Sequence, residues 1–96
     1  MKFPKWVEPP RTNKATRASN RLRYLLKRIA IERNAEGSLK KMCHEIGIDH
    51  SSLACAVRRG YCSERQALLI QDLIGADHTP WRYLRYPLDI EVEKSQ

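Results

Sequence analysis

Between positions 40 and 59 the chain carries Lys40, Lys41, His50, Ser51, Ser52, Cys55, Arg58 and Arg59. Hydroxyl and imidazole groups can donate and accept hydrogen bonds at base edges, while ammonium and guanidinium groups neutralise phosphates. The order matters as well as the types. His50, Ser51 and Ser52 lead one ten-residue stretch, and Arg58 and Arg59 close it. On a helix the hydrogen-bonding groups would lead, and the guanidiniums would reach guanine or, better placed at the far end, clamp phosphate. Ser51 and Ser52 also stand where capping serines stand, so capping is their competing role. Cys55 can touch a thymine methyl or be an ordinary small residue.

These side chains need elements to hold them. Leu39, Met42, Cys43 and Ile46 repeat at helical spacing before Gly47, and Leu53, Ala56 and Val57 repeat after it. Ile48 plugs the turn, and Asp49 stands at the N-cap of the second helix, where its carboxylate can accept from the free amides. The pattern predicts helices over 39–46 and 50–58, the second ended by Gly60. Two short helices about one glycine read as a helix-turn-helix, a unit that offers its second helix to the major groove. The first helix would lie across the backbone, its leading amides with Lys40 and Lys41 suiting a phosphate.

The flanks supply a core. Leu22, Leu25, Leu26, Ile29 and Ala30 share one face of a helix over 16–35, with Thr16 or Ser19 as its cap and Gly37 at its end. Ser38 caps the helix after it. Ser63-Glu64-Arg65-Gln66 reads as a capping box. The helix it opens has Ala67, Leu68, Ile70, Leu73 and Ile74 as a broad apolar face and Gly75 as its stop. A short turn or helix follows Pro80 over 80–84. Leu88-Asp89-Ile90-Glu91-Val92 alternates like a half-buried strand, which needs a partner such as its own copy in a second subunit. Residues 93–96 read as disordered. Trp81, Tyr83 and Tyr86 suit a dimer seam better than a platform for single-stranded nucleic acid.

The expected architecture is therefore all-α, four to five helices. Residues 1–15 form a basic N-terminal arm, 16–88 the helix-turn-helix domain and 89–96 an acidic tail. In the arm Pro4, Pro9 and Pro10 forbid a helix. Phe3, Trp6 and Val7 can dock on the domain, and its cations can follow a phosphate backbone.

Charge agrees with a polyanionic partner. The 96 residues carry a net charge of +7, from 18 Lys and Arg against 11 Asp and Glu. The first 28 residues hold Lys2, Lys5, Arg11, Lys14, Arg17, Arg21, Arg23, Lys27 and Arg28 against Glu8 alone. Neutralising phosphates with such groups releases condensed counterions. Three cysteines without paired spacing suggest no disulfide framework and hence a reducing cytoplasm, with the chain associated with the nucleoid. No apolar run approaches the roughly 20 residues of a membrane span, and the N-terminus lacks the apolar stretch of a secretion signal, so no membrane partner is expected. Cys43, His44, His50, Cys55, Cys62 and His78 lack the short paired spacing of a structural zinc site, so no metal or cofactor is expected. Cys43 and His44, as adjacent helical residues, point about 100° apart and make no nucleophile pair. With scattered acids and no phosphate-binding glycine loop, the chain does not read as an enzyme.

The run Gly47-Ile48-Asp49-His50-Ser51-Ser52-Leu53 resembles the Gly-apolar-Ser-Gln-Ser-x-apolar core of Cro-type helix-turn-helix regulators. Ser63 to Gly75 followed by Leu84-Arg85 resembles the YdaS-like members, small phage-encoded regulators related to Cro; the likeness covers about residues 22–88. Asp49 stands where that pattern has Ser, His50 where it has Gln, and Pro87 comes one step late. The resemblance implies a lambda-repressor-like fold and dimeric, sequence-specific operator binding in transcription control. Lys40, Lys41, His50, Ser51, Ser52, Cys55, Arg58 and Arg59, with Arg28 on the preceding helix, are the expected contacts to double-stranded DNA. The alternative is a protein-interaction module, an antitoxin or host-takeover inhibitor, using the same helices on an acidic protein.

Overall fold

The structure, a computed structural model, describes residues 2–34 and 37–91. Five α-helices follow in order: α1 (Lys14–Arg33), α2 (Leu39–Ile46), α3 (His50–Arg59), α4 (Glu64–Ile74) and α5 (Trp81–Arg85), then one 3-10 turn, Pro87–Asp89. The architecture is all-helical, and there is no strand among the described residues.

Local chemistry sets most helix ends. The Ser38 side chain accepts from the Lys41 amide and starts α2. Gly47 ends it in the left-handed region, φ +74°, where a side chain would be strained. Gly60 closes α3 at φ +95°, and a Cβ there would lie 3.1 Å from the Ala18 Cβ, so both backbone and space require glycine. In α4 the Ser63–Gln66 box is complete in both directions.

Four expectations need correction. Asn13, not Thr16 or Ser19, caps α1, accepting from the Thr16 amide, so the helix starts at Lys14 and the arm ends earlier than residue 15. The helix stops at Arg33, with Asn34 as an extended cap, before Gly37; residues 35 and 36 lie outside the description. Leu68 is exposed, leaving Ala67 and Ile70 to carry the buried face of α4 with Leu73 and Ile74 beside them. Residues 88–91 form no strand. Pro87 cannot donate to a ladder, the chain curls through the 3-10 turn, and Ile90 inserts into the core at 4% exposure. Val92 and residues 93–96 of the expected strand and tail lie outside the described residues.

One core serves the molecule. Leu22, Leu25, Leu26, Ile29 and Ala30 of α1 meet Met42 and Cys43 of α2, Leu53, Ala56 and Val57 of α3, Ala67 and Ile70 of α4, and Leu84 of α5. Burying each large aliphatic side chain contributes about 1.5–3 kcal/mol before the entropy of ordering it is subtracted. The segments before α1 and after α5 are tied to the same helix. Val7 is fully buried, and Phe3 and Trp6 stack edge-on against Tyr24. The Asn20 amide donates to the Val7 carbonyl at 3.2 Å. Arg21, buried in mid-α1, ion-pairs with Glu8. It also donates to the Pro87 carbonyl at 3.0 Å and the Ile90 carbonyl at 3.4 Å, and lies over the Phe3 ring. One guanidinium therefore fastens both the arm and the 87–90 segment.

Candidate nucleic-acid interface

Helix α3 is buried along one side only. Leu53, Ala56 and Val57 face the core, while His50, Ser51, Ser52, Ala54, Cys55, Arg58 and Arg59 are exposed. At 100° per residue, Ser51, Cys55 and Arg58 lie opposite the buried stripe. His50 and Ala54 turn toward α1, and Ser52 toward α4. Arg58 Nη2 approaches Cys55 Sγ at 3.2 Å, so the guanidinium lies back along the outward face. Arg59 is differently engaged: its Nε donates to the Tyr61 carbonyl at 3.2 Å and its guanidinium lies over the Tyr61 ring, 4.6 Å from the centroid.

The leading end of α3 departs from expectation. Asp49 occupies the N-cap, but its carboxylate takes no hydrogen bond from the helix amides. It accepts instead from the Ser52 hydroxyl at 3.5 Å, which partly commits Ser52 within the protein. The Asp49 charge still favours the helix N-terminus through the dipole. Arg65 and Gln66 of α4 line the same recess as Asp49 and Ser52.

Across the turn, Lys40 and Lys41 are exposed on α2 beside His44 and Glu45. Glu45 is paired with Arg33, and the Ser38 hydroxyl already takes the Lys41 amide. Arg28 does not join the others. It points about 100° around α1 from Lys27 and lines a separate groove with Trp6, Tyr24, Lys27, Ile31 and Glu32, to which α3 contributes nothing.

Two other cations of α1 lie beside α3. Arg23 and Lys27, one turn apart on α1, line a groove of about 400 Å³ with Leu39, His50, Leu53, Ala54, Val57 and Arg58. Arg23 and Lys27 make no ion pair among the described residues. Their signal in the sequence is the spacing of four next to Leu22 and Leu26, a charged stripe bordering the apolar one. Ala54 on α3 itself, and Arg65 and the Tyr61 ring beside it, are the other residues that sequence reasoning passed over.

The thiols divide by environment. Cys43 and Cys62 are core residues and Cys55 is exposed. Burial pushes the Cys62 thiol up to about 12, against a partial opposing pull from Arg59 and Arg85. Burial, helped by the Asp49 charge, also raises Cys43. Both stay protonated at neutral pH, so neither is a thiolate nucleophile or ready metal ligand. Among the described residues, no three His, Cys, Asp or Glu side chains come together, and no helix is long and apolar enough to cross a membrane.

The chain matches no protein-family model, no curated protein and no solved structure.

Proposed function

We propose that the chain is a sequence-specific double-stranded DNA-binding regulator of transcription of the phage or prophage type, working as a homodimer in the cytoplasm. α2 and α3 act as a helix-turn-helix, with α3 in the major groove. The observation that carries this reading is the one-sided burial of α3, which leaves Ser51, Cys55 and Arg58 facing outward. A helix with that cross-section fits the major groove, about 12 Å wide. His50 and Ser51 offer hydrogen bonds to base edges, and Cys55 a small apolar surface. Arg58, with Arg23 and Lys27 on α1 and Lys40 on α2, supplies cations to the flanking phosphates. Arg59, held to Tyr61, is a backbone contact rather than a reader of bases. Two-fold symmetry follows from the operator geometry, since half-sites one helical turn apart need two recognition helices.

The test is selection of sites from a random duplex pool, followed by fluorescence anisotropy. The expected result is a palindromic site bound at least ~10³-fold tighter than random DNA, with affinity falling steeply in salt. Ser51→Ala should cost about 1–3 kcal/mol of discrimination at one position. Equal affinity for all duplexes, or none, would overturn the reading. The second reading, a module that binds and inhibits a protein, draws support from the apolar floor between α1 and α3. Phosphates alone would not cover that floor.

A further inference from the structure

The groove between α1 and α3 has two properties that B-form DNA does not satisfy together. Its rim is cationic: Arg23 and Lys27 stand on one wall and Arg58 on the other, with His50 at the end and no carboxylate among the lining side chains. Its floor is apolar, made by Leu39, Leu53 and Val57. A phosphate backbone would meet the rim and leave the floor wet. The groove runs along α3 from His50 to Arg58, about 12 Å at 1.5 Å per residue, and Arg23 and Lys27 on the facing wall are about 6 Å apart along α1. A compact anion could bridge Arg23 and Lys27 but would leave the apolar floor uncovered. An extended occupant with spaced acids would meet several.

We propose that this groove is the docking site for an acidic amphipathic segment of a partner protein, apolar side chains on the floor and carboxylates on the rim, and that its occupation excludes DNA. Three observations select that occupant. The volume of about 400 Å³ falls in the range of binding clefts, about 300–1,000 Å³. Arg23 and Lys27 lack ionic partners among the described residues although Arg21, Arg33 and Arg82 of the same chain have them. A second copy of the chain is disfavoured, because it brings a net charge of +7 to a positive rim. Helix-in-groove recognition works through such spaced apolar anchors, and charge fixes which partner is admitted. The exclusion rests on the DNA reading above, because His50 and Arg58 belong to both surfaces; the docking does not.

The probe is a fluorescein-labelled helical peptide with leucines at i, i+3 and i+7 and glutamates on the flanking positions. Two controls accompany it, one with leucines replaced by serine and one with glutamates replaced by glutamine. The full chain should bind the probe by anisotropy and both controls at least about tenfold more weakly, a difference of about 1.4 kcal/mol. Lys27→Glu and Arg58→Glu should each weaken the probe by about tenfold or more, while Lys14→Glu, the same charge change at the exposed start of α1, should cost less than about twofold. A selected duplex should displace the probe. Equal binding of the serine control, equal loss in Lys14→Glu, or absence of probe binding would overturn the docking site. Simultaneous binding of probe and duplex would overturn the exclusion. A chain that takes the probe but no duplex keeps the groove and loses the regulator reading, and a chain that takes only duplex does the reverse.

Discussion

Two guanidiniums two residues apart on α1 meet opposite fates. Arg21 is buried, pairs with Glu8, satisfies the Pro87 and Ile90 carbonyls and stacks on Phe3. Arg23 is exposed and makes no ion pair among the described residues, facing α3 across an apolar floor with Lys27 one turn on. The chemical group is the same, and helix phase alone separates them, by about 200°. A cation whose hydrogen bonds close within the molecule holds the fold together. A cation left open at a groove keeps its field for a polyanion, because nothing internal screens it. The +7 excess counted along the sequence is thus not uniform in meaning: part of it is structural and part is available.

The sharpest way to break this contrast is to truncate both residues. Arg21→Ala should lower unfolding stability by about 3 kcal/mol, since it leaves the half-buried Glu8 and two carbonyls without a partner. Urea unfolding checks it, and a loss below about 1 kcal/mol would mean that the clamp is dispensable.

A second prediction probes the interior through Cys62. The folded thiol ionises near 12, the unfolded one at the ordinary 9.0, so above pH 9 the unfolded chain holds fewer protons than the folded one. Stability is therefore intact below pH 9 and falls as pH rises toward 12, by about 1.4 kcal/mol per unit from this group. Cys62→Ala should remove that component of the slope, whatever it does to stability at pH 7. A slope identical in both proteins would show that Cys62 is not shielded.

The smallest stability effect belongs to the open side. Arg23→Ala and Lys27→Ala should each change stability by no more than about 0.5 kcal/mol. On DNA, each should weaken all sequences alike and flatten the salt dependence by about 0.9 in log–log slope if it meets a phosphate. Selectivity should survive, in contrast with Ser51→Ala.

The helix ends legible in the sequence were those with a complete local signal: Ser38, the Ser63–Gln66 box, Gly47 and Gly60 each act within four residues of themselves. The start of α1 was not legible, because Asn13, Thr16 and Ser19 all offer cap chemistry; here Asn13 is the cap, and the Ser19 hydroxyl donates to the Val57 carbonyl at 2.6 Å instead. The alternation at 88–92 misled for a related reason. The 3-10 turn has three residues per turn, so Leu88 stays exposed while Ile90, just after the turn, drops into the core, and Arg21, which donates to the Ile90 carbonyl, lies 69 positions away. Of the candidate site, the exposed face of α3 followed from its own periodicity. Arg23 and Lys27 did not, since which side of α1 faces α3 is a property of the crossing between helices and not of either helix alone.

The most direct test of the central claim is a map of backbone amide chemical shifts of the full chain on titration with a selected duplex. The account predicts perturbations concentrated at 50–59 on α3, at the start of α2 and at Arg23 and Lys27, with the Arg21 clamp quiet. Perturbations confined to the Trp6–Tyr24–Ile31 face or to α5, or none at saturating DNA, would contradict it.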